Sequence, residues 1–322
     1  GRIYGRGSAD NKGQFFAHLK AVEAVRKIHG ALPVNVKFLL DPEEEIGSPN
    51  LMDFCGAHRE LFAADIALNS DGPMDPTGRP RLSYGNRGVV YVEVKARGAN
   101  QDLHSGNFGG PIPNPAWRLV EFLSTMRNPD GTVAIEGFYD RIVPPTARER
   151  EMMARIPFDE ETFRKKYGIR KFAPPDGIGY MEKIMFRPTL NIAGFTSGYG
   201  GEGSKTVLPS RALLKMDMRI VVDQDPHDIY QKYVRHAEKH GFDDLEISLH
   251  HFYHPSRTAV DHPLAPKFVE AIRQGFGKEP VQIPAGGGSF PGAAIRSVLG
   301  IPILSVPYGN HDESNHAPNE NL

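Results

Sequence analysis

The chain has 322 residues, 39% apolar and 24% charged, with a formal net charge of −1, enough for about two domains with a substantial core. Its 34 glycines and 27 prolines make about a fifth of the residues, short of the roughly 25–30% that marks low complexity. The even charge balance offers no basic excess for nucleic acid or an anionic membrane, and no apolar run approaches the ~18–20 residues of a spanning helix. A single cysteine, Cys55, excludes an internal disulfide framework and suits a reducing compartment, so a cytoplasmic location is expected. The opening GRIYGRGS, without Met or an apolar leader, and the end at NENL read as a piece of a longer protein.

Over 12–29, Phe15, Leu19, Val22, Val25 and Ile28 fall three or four apart, which predicts a helix closed by Gly30. The run VNVKFLL (34–40) predicts a buried strand leading into the acidic loop 41–47. Ser48 as N-cap and Pro49 in the first turn predict the start of a second helix. Another strand is expected over 65–69, ending at Ser70-Asp71-Gly72. Helices alternating with apolar strands imply a mainly parallel sheet in an α/β domain.

The pattern changes near residue 86. Val90, Val92, Val94 and Ala96 alternate with polar residues, as do Leu214, Met216, Met218 and Ile220, and Leu245, Ile247 and Leu249. Such strands have one packed and one wet face, the mark of an antiparallel sheet. Helices over 114–127 and 226–240 are expected to cover it. The first pattern returns after His254-Pro255, with a helix over 264–276, a Gly-rich loop at 286–288 and a strand over 303–306. We therefore expect an α/β domain built from 1–85 and 256–322, with an α+β domain over 86–255 inserted between them.

Candidate chemistry sits at predicted strand ends. Taken singly, Glu43-Glu44-Glu45 is a solvated acidic loop, Asp71 a turn residue, Asp10 an N-cap and His316 a polar-loop histidine. Ligands in open α/β sheets bind beyond the carboxyl ends of strands, and Glu44/Glu45, Asp71 and His316 each follow such a strand. One imidazole with several carboxylates suits Zn²⁺, Mn²⁺ or Co²⁺. The stretch 198–206, GYGGEGSKT, nearly spells a phosphate-binding loop. A Ser before Lys205 and a strand after it break that motif, leaving a Gly-rich loop that presents Lys205 and Thr206 to a substrate or a subunit interface.

The motifs GRGSADNKG (5–13), EEEIGS (43–48), NSDG (69–72), DLHSG (102–106), KTVLP (205–209), GGSFP (287–291) and NHAPNE (315–320) occur in one order. This series resembles the dinuclear zinc metallopeptidase family of cytosolic non-specific dipeptidase, carnosinase, acetylornithine deacetylase and succinyl-diaminopimelate desuccinylase. The resemblance implies a metallopeptidase domain whose inserted domain dimerises and acts as a lid. It implies two divalent metal ions, with Zn²⁺ foremost and Mn²⁺ or Co²⁺ as alternatives. Asp10 would bridge them, Glu45 and His316 would complete one site, and Asp71 would serve the other. Glu44 would be the general base and His104, from the neighbouring subunit of a homodimer, the oxyanion donor. Thr206, Arg219 and Ser289 would hold a small peptide substrate. The Asp10–Asn11 peptide bond is expected to be cis.

DLHSGNFGG (102–110) and the long insert favour the dipeptidase branch. An N-acyl amino acid deacetylase or desuccinylase, or a non-catalytic dimerisation module, remains the rival. Two features depart from the family. Its upstream His-x-Asp motif, source of the second site's His, falls before Gly1, so these residues alone are expected to hold at most one ion tightly and to hydrolyse weakly. The acidic loop is also entered through Asp41-Pro42, where relatives often carry Glu-Gly.

Overall fold

The computed structural model describes residues 1–172 and 179–322. In chain order the principal elements are α1 (Gly13–His29), α2 (Leu51–Ala57), β1 (Ala67–Asn69), β2 (Arg81–Ser83), β3 (Gly88–Arg97) and α3 (Pro115–Thr125). Then follow β4 (Thr189–Ser197), β5 (Arg211–Ile220), α4 (Pro226–Lys239), β6 (Glu246–Tyr253), α5 (Ala265–Phe276), β7 (Val281–Ile283) and β8 (Ile303–Ser305). The chain divides into two compact units. One comprises Gly1–Asn86, Pro145–Arg170 and Ser256–Leu322, the other Arg87–Pro144 and Lys171–Pro255. No helix among the described residues is long and apolar enough to cross a membrane.

The first unit carries a mixed sheet in the order β1-β8-β2-β7. β1 lies parallel to β8, Ala67 opposite Ile303, and β2 parallel to β7, Arg81 opposite Val281. β8 meets β2 antiparallel at Ser305 and Ser83. Leu82, Tyr84, Leu304 and Ile272 are buried together, with half-buried Phe268 and Val269 of α5 against them. α1 ends as its sequence dictates: Gly30 takes φ 79° and its N–H closes on the Arg26 carbonyl. Among its expected stripe residues, Phe15, Val22 and Val25 are half-buried, whereas Leu19 and Ile28 are exposed.

Three expectations need correction here. The segment 34–40 joins no ladder among the described residues. Val34, Val36, Phe38 and Leu40 are exposed, and Leu39 packs on the cluster of Leu51, Cys55 and Ala294. An apolar run becomes a sheet strand only where a neighbour takes up its amides, and none does so here. Ser48 does not cap α2. It sits at φ 48° and donates its hydroxyl to Asp41 Oδ2 at 2.5 Å, so α2 begins at Leu51. Pro145–Arg170, inside the range expected as insert, groups with the first unit. Met152 packs on that unit's core, and Glu149 lies 3.4 Å from Arg257.

The second unit is an antiparallel sheet in the order β4-β5-β3-β6. Val90, Val92 and Val94 of β3 and Leu214, Met216 and Met218 of β5 face one buried side. α3 and α4 cover that side with Leu119, Phe122, Ile229 and Tyr233. Both helices start on acceptor side chains followed by proline. Asn114 accepts from the Ala116 N–H, and Asp225 from those of His227 and Asp228. Phe122 is fully buried, with its ring 5.7 Å from Tyr233 and 5.1 Å from Phe242. Phe122→Ala should destabilise this unit by about 3–5 kcal/mol, read as a lower denaturation midpoint for its unfolding step. A change below about 1 kcal/mol would show that this core closes over the gap.

Candidate metal centre

Asp10 precedes α1 and is held through its backbone. The buried Glu320 carboxylate accepts the N–H groups of Gly7 at 3.0 Å, Ala9 at 3.1 Å and Asp10 at 3.0 Å. The Asp10–Asn11 peptide bond is cis. Glu44 and Glu45 lie in one tight turn, Glu44–Ile46, closed by Gly47 at φ 97°. That turn is held from outside: Asp41 accepts the Glu43 N–H at 2.9 Å as well as the Ser48 hydroxyl. Asp71 lies two residues past the end of β1 and is half-buried. His316 lies on the loop after β8, in the left-handed region at φ 57°.

These segments bring three side chains to one place. His316 Nε2 lies 3.1 Å from Asp10 Oδ2 and 3.0 Å from Glu45 Oε2. One ligand atom from each of the three fits within 4.8 Å of the others. The second Glu45 oxygen pairs with Arg6 at 2.8 Å, and Arg6 also lies 3.7 Å from Glu320. Asp71 is coupled electrostatically to Asp10, Glu45 and His316.

Negative charge accumulates here in a partly dry setting. Burial, then Asp71, Glu45 and Asp10, push the Glu44 carboxyl up to about 7. Burial, then Asp10, push Asp71 up to about 6 despite a bond from the Gly72 N–H. Glu313 is pushed up to about 7 by burial and then by Asp10, Asp71 and Glu320, with Arg81 opposing. Glu313 is 2% exposed, and neither carboxylate oxygen has a hydrogen-bond partner among the described residues. An imidazole between two carboxylates, with an orphaned buried carboxylate near them, is a donor set that suits a dication.

Glu313 is one residue that sequence reasoning missed, because HDESN (311–315) looks like a solvated loop. Glu320 stands inside the NHAPNE motif (315–320), which by itself points to no role for it. Gln14, fully buried one position beyond GRGSADNKG, was also passed over. Its amide donates to the Ala9 carbonyl at 3.0 Å and the Gly72 carbonyl at 3.1 Å, and its oxygen accepts the Tyr308 N–H at 2.9 Å.

Ser289 is half-buried in the Gly-rich loop of the first unit. The other named residues lie in the second unit. There His104 and Thr206 are neighbours: His104 opposes Val207, and the Ser105 N–H donates to the Thr206 carbonyl at 3.2 Å. His104 Nδ1 accepts the Gly106 N–H at 3.0 Å, which leaves Nε2 to carry the ring proton. Arg219 stands on the polar face of β5, its Nε 3.3 Å from Asp217 Oδ1.

A mixed α/β sheet with carboxylates and one imidazole gathered around a common point is an arrangement that suits a metal-dependent hydrolase. The chain belongs to Peptidase family M20/M25/M40, which matches residues 1–322. Members are metallopeptidases that work with divalent metal ions, typically zinc. Human Beta-Ala-His dipeptidase is 30% identical over all of this chain, which spans 65% of that protein's length. Cys-Gly metallodipeptidase dug1 of Schizosaccharomyces pombe is 29% identical over all of the chain and 69% of its own length. The M20 family metallo-carboxypeptidase Sso-CP2 of Sulfolobus solfataricus superposes with a TM-score of 0.92 at 37% identity, over all of this chain and 73% of its own.

The raised carboxyls give the metal-free protein a signed pH dependence. Between about pH 4 and 7 the folded state holds protons that the unfolded chain has released. Their contribution to stability is full below the ordinary carboxyl values and is lost as pH rises through about 6–7. Chelator-treated Glu313→Gln should therefore show a flatter fall in Tm from pH 5 to pH 8 than the unsubstituted protein. Equal slopes would mean that Glu313 does not carry its proton over that range.

Proposed function

We propose that this protein is a metal-dependent peptidase that hydrolyses the peptide bond of dipeptides or the last bond at a free C-terminus. The observation that carries the reading is the meeting of Asp10, Glu45 and His316 beside Glu44. Asp10, Glu45 and His316 would hold one divalent ion, and Asp10 with Asp71 a second, more weakly held one, zinc being the metal typical of the family. When bound, such ions polarise the scissile carbonyl and make a water acidic enough to attack near neutrality.

Glu44 takes the proton of the attacking water and returns it to the leaving amine. A carboxyl that stands beside the metal-holding residues without being one of them is placed to accept that proton and then donate it. His104, with its proton on Nε2, is the donor we assign to the oxyanion, supplied by the partner in a homodimer formed through the second unit, Arg87–Pro144 and Lys171–Pro255. Arg219 offers the planar fork that binds a substrate carboxylate in bidentate fashion, and Thr206 and Ser289 offer hydroxyls to the peptide. Arg219 is what favours a substrate with a free C-terminus. The dipeptidase and carboxypeptidase names of the relatives support the same substrate class. A reducing, cytoplasmic location fits the single cysteine, Cys55, which is buried.

Glu44→Gln should lower kcat on dipeptides by about 10²–10⁴-fold while zinc binding persists, and chelator should abolish turnover until zinc is restored. Dipeptides and N-acyl amino acids should be assayed side by side. Cleavage of N-acyl amino acids alone would make the protein a deacylase, and full activity of Glu44→Gln would remove Glu44 as the base.

A further inference from the structure

Gln14 has a place in the first unit that the peptidase reading leaves unused. It is fully buried in the first turn of α1, so the helix backbone fixes where its side chain starts. The side-chain amide has two N–H donors, and both are taken. One donates to the carbonyl of Ala9, the peptide unit that carries the Asp10 N–H, and the other to the carbonyl of Gly72, the residue after Asp71. Its oxygen accepts the N–H of Tyr308, at the start of the loop that runs to His316. The Tyr308 hydroxyl donates back to the Gln14 backbone carbonyl. One side chain is thus bonded to all three segments that bring Asp10, Asp71 and His316 to the site.

The surroundings leave little room for another arrangement. A Cβ added at Gly309 would collide with the Glu313 carboxylate and come within 3.0 Å of the Gly72 carbonyl and 3.2 Å of Gln14 Nε2. The backbone therefore passes tightly over the Gln14 amide. The Asp10 carboxylate repels that of Asp71 and disfavours its charge. A tie between Ala9 and Gly72 opposes that spreading before any cation arrives. Because peptide units are planar and stiff, a shift of the Ala9 carbonyl moves the start of Asp10 with it.

We propose that Gln14 is a positioning residue that holds the loops of Asp10, Asp71 and His316 at the spacing a divalent cation needs. The proposal rests on the peptidase reading only in taking those residues as the metal's holders. Of the common side chains, glutamine alone offers two donors and an acceptor at this reach. Glutamate keeps the shape but turns both donors into acceptors facing carbonyls. Methionine keeps the volume and loses all three bonds.

The test compares the unsubstituted protein with Gln14→Glu and Gln14→Met by zinc titration against a competing chelator, and by the visible absorption of the Co²⁺-substituted forms. Partners that orient metal ligands are typically worth 10–100-fold in affinity. Both variants should therefore bind zinc at least about tenfold more weakly, with the Co²⁺ bands displaced. Gln14→Met, which adds no charge, keeps the comparison open if Gln14→Glu fails to fold. Lower Tm with unchanged zinc affinity and unchanged Co²⁺ bands would make Gln14 an ordinary core residue and overturn the proposal. Failure of the unsubstituted protein to bind zinc would overturn the peptidase reading itself, a different result from normal binding in all three proteins.

Discussion

The mutual repulsion of carboxylates in a partly dry place is the constraint on which the rest of the first unit depends. Asp10 and Glu45 disfavour charge on Glu44 and Asp71, and Asp10 and Asp71 disfavour it on Glu313. At an effective dielectric of 20, two unit charges 4 Å apart cost about 4 kcal/mol, a large share of the stability of an ordinary domain. Left alone, such a group protonates, spreads apart or draws in cations. The first response appears as carboxyls held near 6–7. The second is opposed by hydrogen bonds to backbone, and the third is provided for by the converging ligand atoms of Asp10, Glu45 and His316.

The fold supplies the opposition cheaply. β1 and β8 run parallel and hand their chains to the same edge, so Asp71 and the loop to His316 leave the sheet together. Gln14 and Glu320 then fasten the Asp10 segment, one through the Ala9 carbonyl and the other through its amides. Arg6 steadies Glu45 from outside and leaves its second oxygen to His316. Asp10 also stands just before the N-terminus of a 17-residue helix, where negative charge is favoured.

Much of this was legible in the sequence, for reasons that differ by residue. β3 and β5 were readable because one wet face forces alternation, and Gly30 because only the left-handed region ends a helix that way. The positions of Asp10, Glu45 and His316 were readable because their motifs stand in a fixed order. The stretch 34–40 was misread because apolar content reports burial only when a neighbouring strand exists, a non-local fact. Ser48 was misread because its hydroxyl found Asp41, seven residues back, in place of a helix N–H. The side of the domain boundary on which Pro145–Arg170 falls is decided by Met152 and Glu149, single contacts that leave no periodic trace. Gln14 and Glu313 were invisible for the opposite reason: buried polar groups obey no pattern, and their role is set by carbonyls and carboxylates far away in the chain.

The central claim is that the carboxylate group is built around a divalent cation. Anomalous diffraction at the zinc edge, on crystals of the protein grown with zinc, tests it most directly. A peak is expected about 2.0–2.2 Å from oxygens of Asp10 and Glu45 and from His316 Nε2. Zinc found elsewhere, with His316 still bridging Asp10 and Glu45 by hydrogen bonds alone, would contradict it.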